Sequence, residues 1–278
     1  MQLDGGRESD NVVDARGAGG GGGKLIGGGI GTIAILLIGW FLGVDPSLLL
    51  DVAQQASAPQ QQQSAQVHPA GEDLRFEKLV LARTEDVWSQ AFQQMGRTYR
   101  APRLEVFHNP IPSGCGMAQS VVGPFYCPRD QTIYLDKDFL DQLMARFGVR
   151  GEFAKAYVIA HEVGHHVQHQ LGLLNDNAAP TQGAQGTSVR TELQADCLAG
   201  VWATRSDKQR KLLDPGDIES GIAAASAVGD DRLQRSAGRQ ITPDAFTHGT
   251  AAQRVHWFRR GVETGDPRAC DTFHANPL

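Results

Sequence analysis

The pentad His161-Glu162-Val163-Gly164-His165 constrains this chain more than any other feature. It lies in a segment where Phe153, Ala156, Tyr157, Ala160, Val163, Gly164, Val167 and Leu171 recur at spacings of three and four. That period predicts a helix over 152–171 with one buried stripe. Residues four apart on a helix project from one face, one turn apart. The imidazoles of His161 and His165 can therefore reach a single ion, with the Glu162 carboxylate beside them. Gly164 costs such a helix about 1 kcal/mol against alanine, but it lets a neighbouring element approach closely. The competing reading is a histidine-rich solvated face, since His166 and His169 are nearby.

A second segment weakens that competitor. After a glycine-rich polar loop over 173–187, Thr187 or Ser188 is expected to cap a helix running to Ala203. Glu192 and Asp196 are again four apart on one face. A catalytic zinc takes three protein ligands and keeps one position open. Glu192 suits the third ligand, and Asp196 can accept a hydrogen bond that orients a ligating histidine. The competing reading for the pair is two exposed acids on a helix. His169 rivals Glu192 as third ligand, but a straight helix spreads three such rings over two turns.

The remaining periodicities predict helices over 84–95, from Phe139 to Phe147, near Ile218 to Val228, and over 251–262. Short strands are expected at 104–108, 118–122 and 132–135. A mixed region followed by mainly helices gives the class α+β, with a small antiparallel sheet.

Residues 1–24 end in a run of glycine and alanine and read as a disordered tail. Residues 25–44 carry no charge and match the length of a bilayer core, so one transmembrane helix is expected there. A cleaved signal peptide and a buried soluble helix are the rivals. Arg7, Arg16 and Lys24 precede this run, and no Lys or Arg follows it until Arg75. That bias puts the N-terminus inside and the bulk of the chain outside. Residues 45–70 are rich in Gln and Ala and read as a linker, and residues 71–278 as the folded domain.

The domain holds all four cysteines, Cys115, Cys127, Cys197 and Cys270. An even number suits disulfides in an oxidising compartment. Three connectivities exist, of which Cys115–Cys127 with Cys197–Cys270 is favoured. Four separate thiols are the alternative. The formal net charge of −5 gives no sign of an extended basic surface, so no nucleic-acid partner is expected.

With these motifs in hand, a resemblance emerges. His-Glu-Val-Gly-His at 161–165 followed by Glu-Leu-Gln-Ala-Asp at 192–196 resembles the Glu-zincin pattern. More closely, the chain resembles the bacterial neutral zinc metallopeptidase family, whose members are membrane-anchored. The segments S-G-C-G at 113–116, F-Y-C-P at 125–128, I-Y-L-D at 133–136 and H-G-T-A-A-Q-R at 248–254 carry the narrower match. The resemblance covers most of residues 1–275. It implies a zincin-like domain behind one transmembrane helix, on the periplasmic or extracellular side of a bacterial cytoplasmic membrane. It also implies Zn2+ as cofactor and a peptide or protein as substrate. His161, His165 and Glu192 match the metal ligands, Glu162 the general base for metal-activated water, and Asp196 the outer carboxylate.

His248 is the first candidate to stabilise the oxyanion, ahead of Tyr157, which falls on the apolar stripe. A helix cap or packed histidine is its plainer role. Arg254 could bind a substrate carboxylate or a structural acid, with structural pairing the default. The stretch Val121 to Tyr126 could offer a sheet edge to an extended peptide. Two other functions compete with peptide hydrolysis. One is a zinc-stabilised envelope binding protein, which would not need Glu162. The other is a zinc hydrolase of a non-peptide amide or ester.

Overall fold

The computed structural model describes residues 1–17, 74–119, 123–174 and 180–278. Met1–Gly19 and Asp73–Leu278 form one compact unit. In chain order this unit contains β1 (Val12–Asp14), α1 (Arg75–Gln94), β2 (Arg103–Phe107), β3 (Ile111–Ser113), β4 (Gly116–Ala118), β5 (Phe125–Cys127) and β6 (Thr132–Asp136). Then follow α2 (Lys137–Arg146), α3 (Glu152–Leu171), α4 (Thr187–Gln209), α5 (Asp217–Ala227), α6 (Asp230–Ser236) and α7 (Ala251–Thr264). The class is α+β and mainly helical, as the element order implied.

The sheet differs from expectation. Its order is β1-β2-β6-β5, with β1–β2 and β2–β6 parallel and only β5–β6 antiparallel. A parallel neighbour requires a crossover connection of a dozen or more residues. The chain between β2 and β6 is long enough, and it spends that length on the separate β3–β4 hairpin and on β5.

Residues 1–17 also depart from the expected disordered tail. Val12, Val13 and Asp14 pair with Leu104, Glu105 and Val106, and Leu3 is buried in the core. Glu85, itself buried, accepts hydrogen bonds from Ser9 Oγ (2.5 Å), Asn11 Nδ2 (2.8 Å) and Arg7 Nη2 (2.6 Å). A buried carboxylate is costly unless paired, so this segment completes the domain. Helix α1 begins nine residues before the expected start. Its early buried positions include Glu77, Arg83 and Glu85, whose charges conceal the period. The expected helix over 25–44 and the linker over 45–70 lie outside the described residues. Among the described residues, no helix is long and apolar enough to cross a membrane.

Around the buried rings of Trp88, Phe153, Tyr157, Trp202 and Phe258 the core joins α1, α3, α4, α5 and α7. Helix α3 spans the expected residues and ends on Gly172 in the left-handed conformation (φ 74°). Helix α4 runs two turns past Ala203, and its N-cap is Gly186 rather than Thr187 or Ser188. A side chain at 186 is impossible, because its Cβ would lie 2.3 Å from the Thr181 carbonyl oxygen. Close helix contacts fix the geometry that matters later. A Cβ at Gly164 would meet the Ala195 carbonyl oxygen at 3.0 Å, the close approach anticipated for this glycine. A Cβ at Gly261 would lie 1.9 Å from the Cys197 carbonyl oxygen, so α4 and α7 touch backbone to backbone.

Both favoured disulfides are present, Cys115–Cys127 and Cys197–Cys270. Loop-closure entropy assigns them about 3 and about 4 kcal/mol of stabilisation for separations of 12 and 73 residues.

Candidate metal centre

Helices α3 and α4 bring three donor side chains together. His161 Nε2 lies 3.2 Å from Glu192 Oε2, and His165 Nε2 lies 3.5 Å from Glu192 Oε1. One ligand atom from each of these three residues falls within 4.8 Å of the others. Tetrahedral ligands held about 2.0–2.1 Å from zinc stand about 3.3 Å apart, so this spacing fits a closed His-His-Glu face. The two imidazoles are nearly perpendicular, at 87° with centroids 4.8 Å apart.

The other two histidines of α3 face elsewhere. His166 is fully buried, and burial lowers its pKa to about 4. Both His166 Nδ1 and His169 Nδ1 meet the Tyr126 hydroxyl, at 2.9 and 2.8 Å. His169 is thus committed to β5, away from Glu192.

Asp196 is completely buried behind the trio and collects four donor contacts. His161 Nδ1 lies 2.8 Å from its Oδ1, and the Tyr157 hydroxyl donates to the same oxygen. Arg254 grips it with two hydrogen bonds of 2.8 Å, from Nε to Oδ2 and from Nη2 to Oδ1. A carboxylate that accepts from His161 Nδ1 holds a proton there, so in the neutral ring the Nε2 lone pair faces Glu192. Burial opposes charge on Asp196, but Arg254 and His161 hold its carboxyl below the usual range. Burial also opposes charge on Glu192, yet His165 and His248 hold it well below its ordinary value. Burial would lower His161, but Asp196 outweighs it and raises this imidazole to about 10. The cluster therefore carries a field that favours a cation. Three carboxylates (Glu162, Glu192 and Asp196) outnumber the one guanidinium (Arg254), an excess of acidic groups that suits a cation.

Glu162 is buried beside the trio. Among the described residues its carboxylate takes no hydrogen bond or ion pair, so its lone pairs are uncommitted. His248 is half exposed. Its Nδ1 lies 2.8 Å from Thr247 Oγ1 and 3.4 Å from Asp230 Oδ1. Burial lowers its pKa, and the nearby charge of Glu192 with the Asp230 contact raises it overall. Asp230 also accepts the backbone N–H groups of Thr247, His248 and Gly249, at 2.8, 2.7 and 2.9 Å, which fixes the loop carrying this ring. Thr250 then starts α7 with a capping box to Gln253.

The spacing of the motifs pointed to all of the trio, Glu162 and Asp196. It left Arg254 with an unnamed structural acid, which is Asp196. It placed Tyr157 on the apolar stripe, where the ring does pack against Phe258 while its hydroxyl serves Asp196. It missed Asp230, whose only signal was its position at the start of a short helix. A second donor group, His108, Asp136 and Asp138, also falls within 4.8 Å. There His108 Nδ1 pairs with Asp138 Oδ2 at 3.0 Å, and Asp136 Oδ1 accepts the Phe139 N–H at the start of α2. Those contacts account for the group as a helix start.

Curated relatives share this sequence broadly. A protein of Escherichia coli strain K12, "Uncharacterized protein YpfJ", is 44% identical over 98% of this chain and 99% of its own length. A protein of Mycobacterium tuberculosis strain H37Rv, "Uncharacterized protein Rv2575", is 49% identical over 65% of each chain. No solved structure matches significantly. A family model matches residues 1–273, including the N-terminal strand, and the chain belongs to the family described as "Putative neutral zinc metallopeptidase".

Proposed function

We propose that this protein hydrolyses peptide bonds with zinc held by His161, His165 and Glu192 in a zincin-like domain. The observation that carries this reading is the convergence of two imidazole Nε2 atoms and one carboxylate, with an uncommitted buried carboxylate alongside. Zinc in such a site lowers the pKa of water and polarises a carbonyl. Glu162 takes a proton from the attacking water and returns it to the departing amine nitrogen. Against burial, the charge of Glu192 and the Asp230 contact raise the pKa of His248, and an N–H on its second ring nitrogen would donate to the developing oxyanion. Strand β5 is an edge of the sheet and is tied through Tyr126 to α3, which suits an extended peptide added alongside it. The Cys115–Cys127 staple anchors the end of that strand.

The test is hydrolysis of a mixed peptide library, abolished by a chelator and restored by zinc. In the same assay His248→Ala is expected to lose roughly 10^2- to 10^3-fold in kcat, the worth of one oxyanion donor, with its zinc content unchanged. A loss under twofold removes His248 from the mechanism.

The location is also a proposal. Two disulfides support an oxidising compartment. A single crossing by residues 25–44 would put residues 1–17 and 74–278 on opposite sides of a bilayer. The β1–β2 pairing needs both on one side, so the two cannot hold in one molecule. We place both on the oxidising side. Cysteines introduced at the exposed positions Asp4 and Glu219 should then both react with a membrane-impermeant maleimide on intact cells. Labelling of Glu219→Cys alone, with Asp4→Cys reacting only after permeabilisation, restores the single-pass arrangement and rules out the strand pairing in the cell.

A further inference from the structure

The ligand His161 is oriented by Asp196, the carboxylate of the second motif. His165 has a different support, and nothing in the motif assigns it. Its Nδ1 lies 2.8 Å from Gln168 Oε1. Gln168 is completely buried, as expected of a side chain with a fixed duty. Its Nε2 donates to the Thr191 carbonyl oxygen at 2.8 Å and to Gln194 Oε1 at 2.9 Å. Gln194, also buried, passes the chain on: its Nε2 donates to the Cys270 carbonyl oxygen at 2.8 Å.

The direction of every hydrogen bond in this chain follows from its two ends. A backbone carbonyl can only accept. Thr191 O therefore fixes which end of the Gln168 amide is nitrogen, and Cys270 O does the same for Gln194. With both nitrogens so placed, Gln168 must present its oxygen to His165. An amide oxygen only accepts, so His165 Nδ1 must carry the proton. The lone pair is then on Nε2, which faces Glu192. Cys270 is itself pinned to α4 by the disulfide to Cys197, one turn beyond Gln194. The relay thus runs from the metal-facing ring to a covalently anchored carbonyl, and no ionised group belongs to it.

We propose that Gln168, with Gln194 behind it, is the positioning residue that locks His165 in its metal-binding tautomer. This rests on His165 being a ligand of the proposed zinc site. Loss of such an outer partner typically costs 10- to 100-fold in metal affinity.

The test uses the zinc-loaded full chain and two readouts, zinc affinity by chelator competition and the 15N-resolved state of the histidine rings. In wild type, His165 should carry zinc on Nε2 and a slowly exchanging proton on Nδ1. Gln168→Met should bind zinc roughly 10- to 100-fold more weakly and lose protection of that proton. Gln194→Met should show the same changes to a lesser degree, because Thr191 still orients Gln168. Zinc on Nδ1 of wild-type His165, or an Nδ1 proton that exchanges as fast in wild type as in Gln168→Met, overturns the proposal. So does zinc affinity in Gln168→Met within twofold of wild type. The ring spectrum of wild type decides the matter even if a variant fails to fold. His165→Ala separates the two readings: if it retains a full equivalent of tight zinc, the metal site is wrong and not merely its support.

Discussion

Glu162→Gln should bind one zinc per chain as wild type does and lose roughly 10^2- to 10^4-fold in kcat/KM on peptides, the usual worth of a general base. The expectation follows from position. Glu162 is buried beside the three donors, yet among the described residues it supports none of them and pairs with nothing. The amide keeps its shape and removes only the proton acceptor. The experiment is single-substrate kinetics with metal analysis of the same samples. It also separates the competing functions. A zinc-stabilised binding protein would show no turnover in wild type and no difference in the variant. A hydrolase of a non-peptide amide or ester would show no peptide turnover, but a loss in the variant on amide or ester substrates.

Arg254→Met should be the most destabilising single change near the site. Arg254 and Asp196 are both buried, and the guanidinium supplies two of the four contacts to the carboxylate. Removing one partner of a buried pair leaves an uncompensated charge and costs about 3–5 kcal/mol. In a domain of this size that lowers the melting temperature on the order of 10 °C. Calorimetry of metal-stripped protein isolates this cost from any loss of zinc. The double variant Arg254→Met with Asp196→Leu should regain part of the stability, because no lone buried charge remains. It should not regain zinc affinity, since His161 has then lost the acceptor that holds its tautomer. If the double variant is less stable than the sum of the singles, the pair is not the unit described.

The site was far more legible in the sequence than the fold around it, and the reason is local geometry. His161 and His165, and likewise Glu192 and Asp196, sit one helical turn apart, so the chain itself states which side chains share a face. The even cysteine count pointed to disulfides but left three connectivities open, of which the favoured one is present. By contrast, Arg254 reaches Asp196 across 58 residues, and only the approach of α7 to α4 through Gly261 brings them together. The relay through Gln168 and Gln194 is similarly invisible, because a glutamine gives no signal until its partners are known. Strand β1 is three residues long, too short for any period, and its partner lies beyond residue 100. The parallel order of the sheet failed for a related reason: short strands near turn residues read as hairpins, and only the tertiary path distinguishes a crossover.

Gly186 reverses a local rule. The sequence offered two hydroxyl residues as caps, but the tight return of the chain past Thr181 leaves no room for a side chain at the cap position. Steric closure of the 181–187 turn fixes where α4 begins, and Thr181, not Thr187 or Ser188, accepts the first N–H groups of the helix, those of Thr187 and Ser188.

The central claim is that one metal ion is held by His161, His165 and Glu192. Metal analysis after dialysis, on wild type, Glu192→Ala and His169→Ala in parallel, tests it most directly. One equivalent of zinc should remain on wild type and on His169→Ala, whose ring is turned to Tyr126, and Glu192→Ala should retain little. Full zinc on Glu192→Ala with loss on His169→Ala would contradict the account.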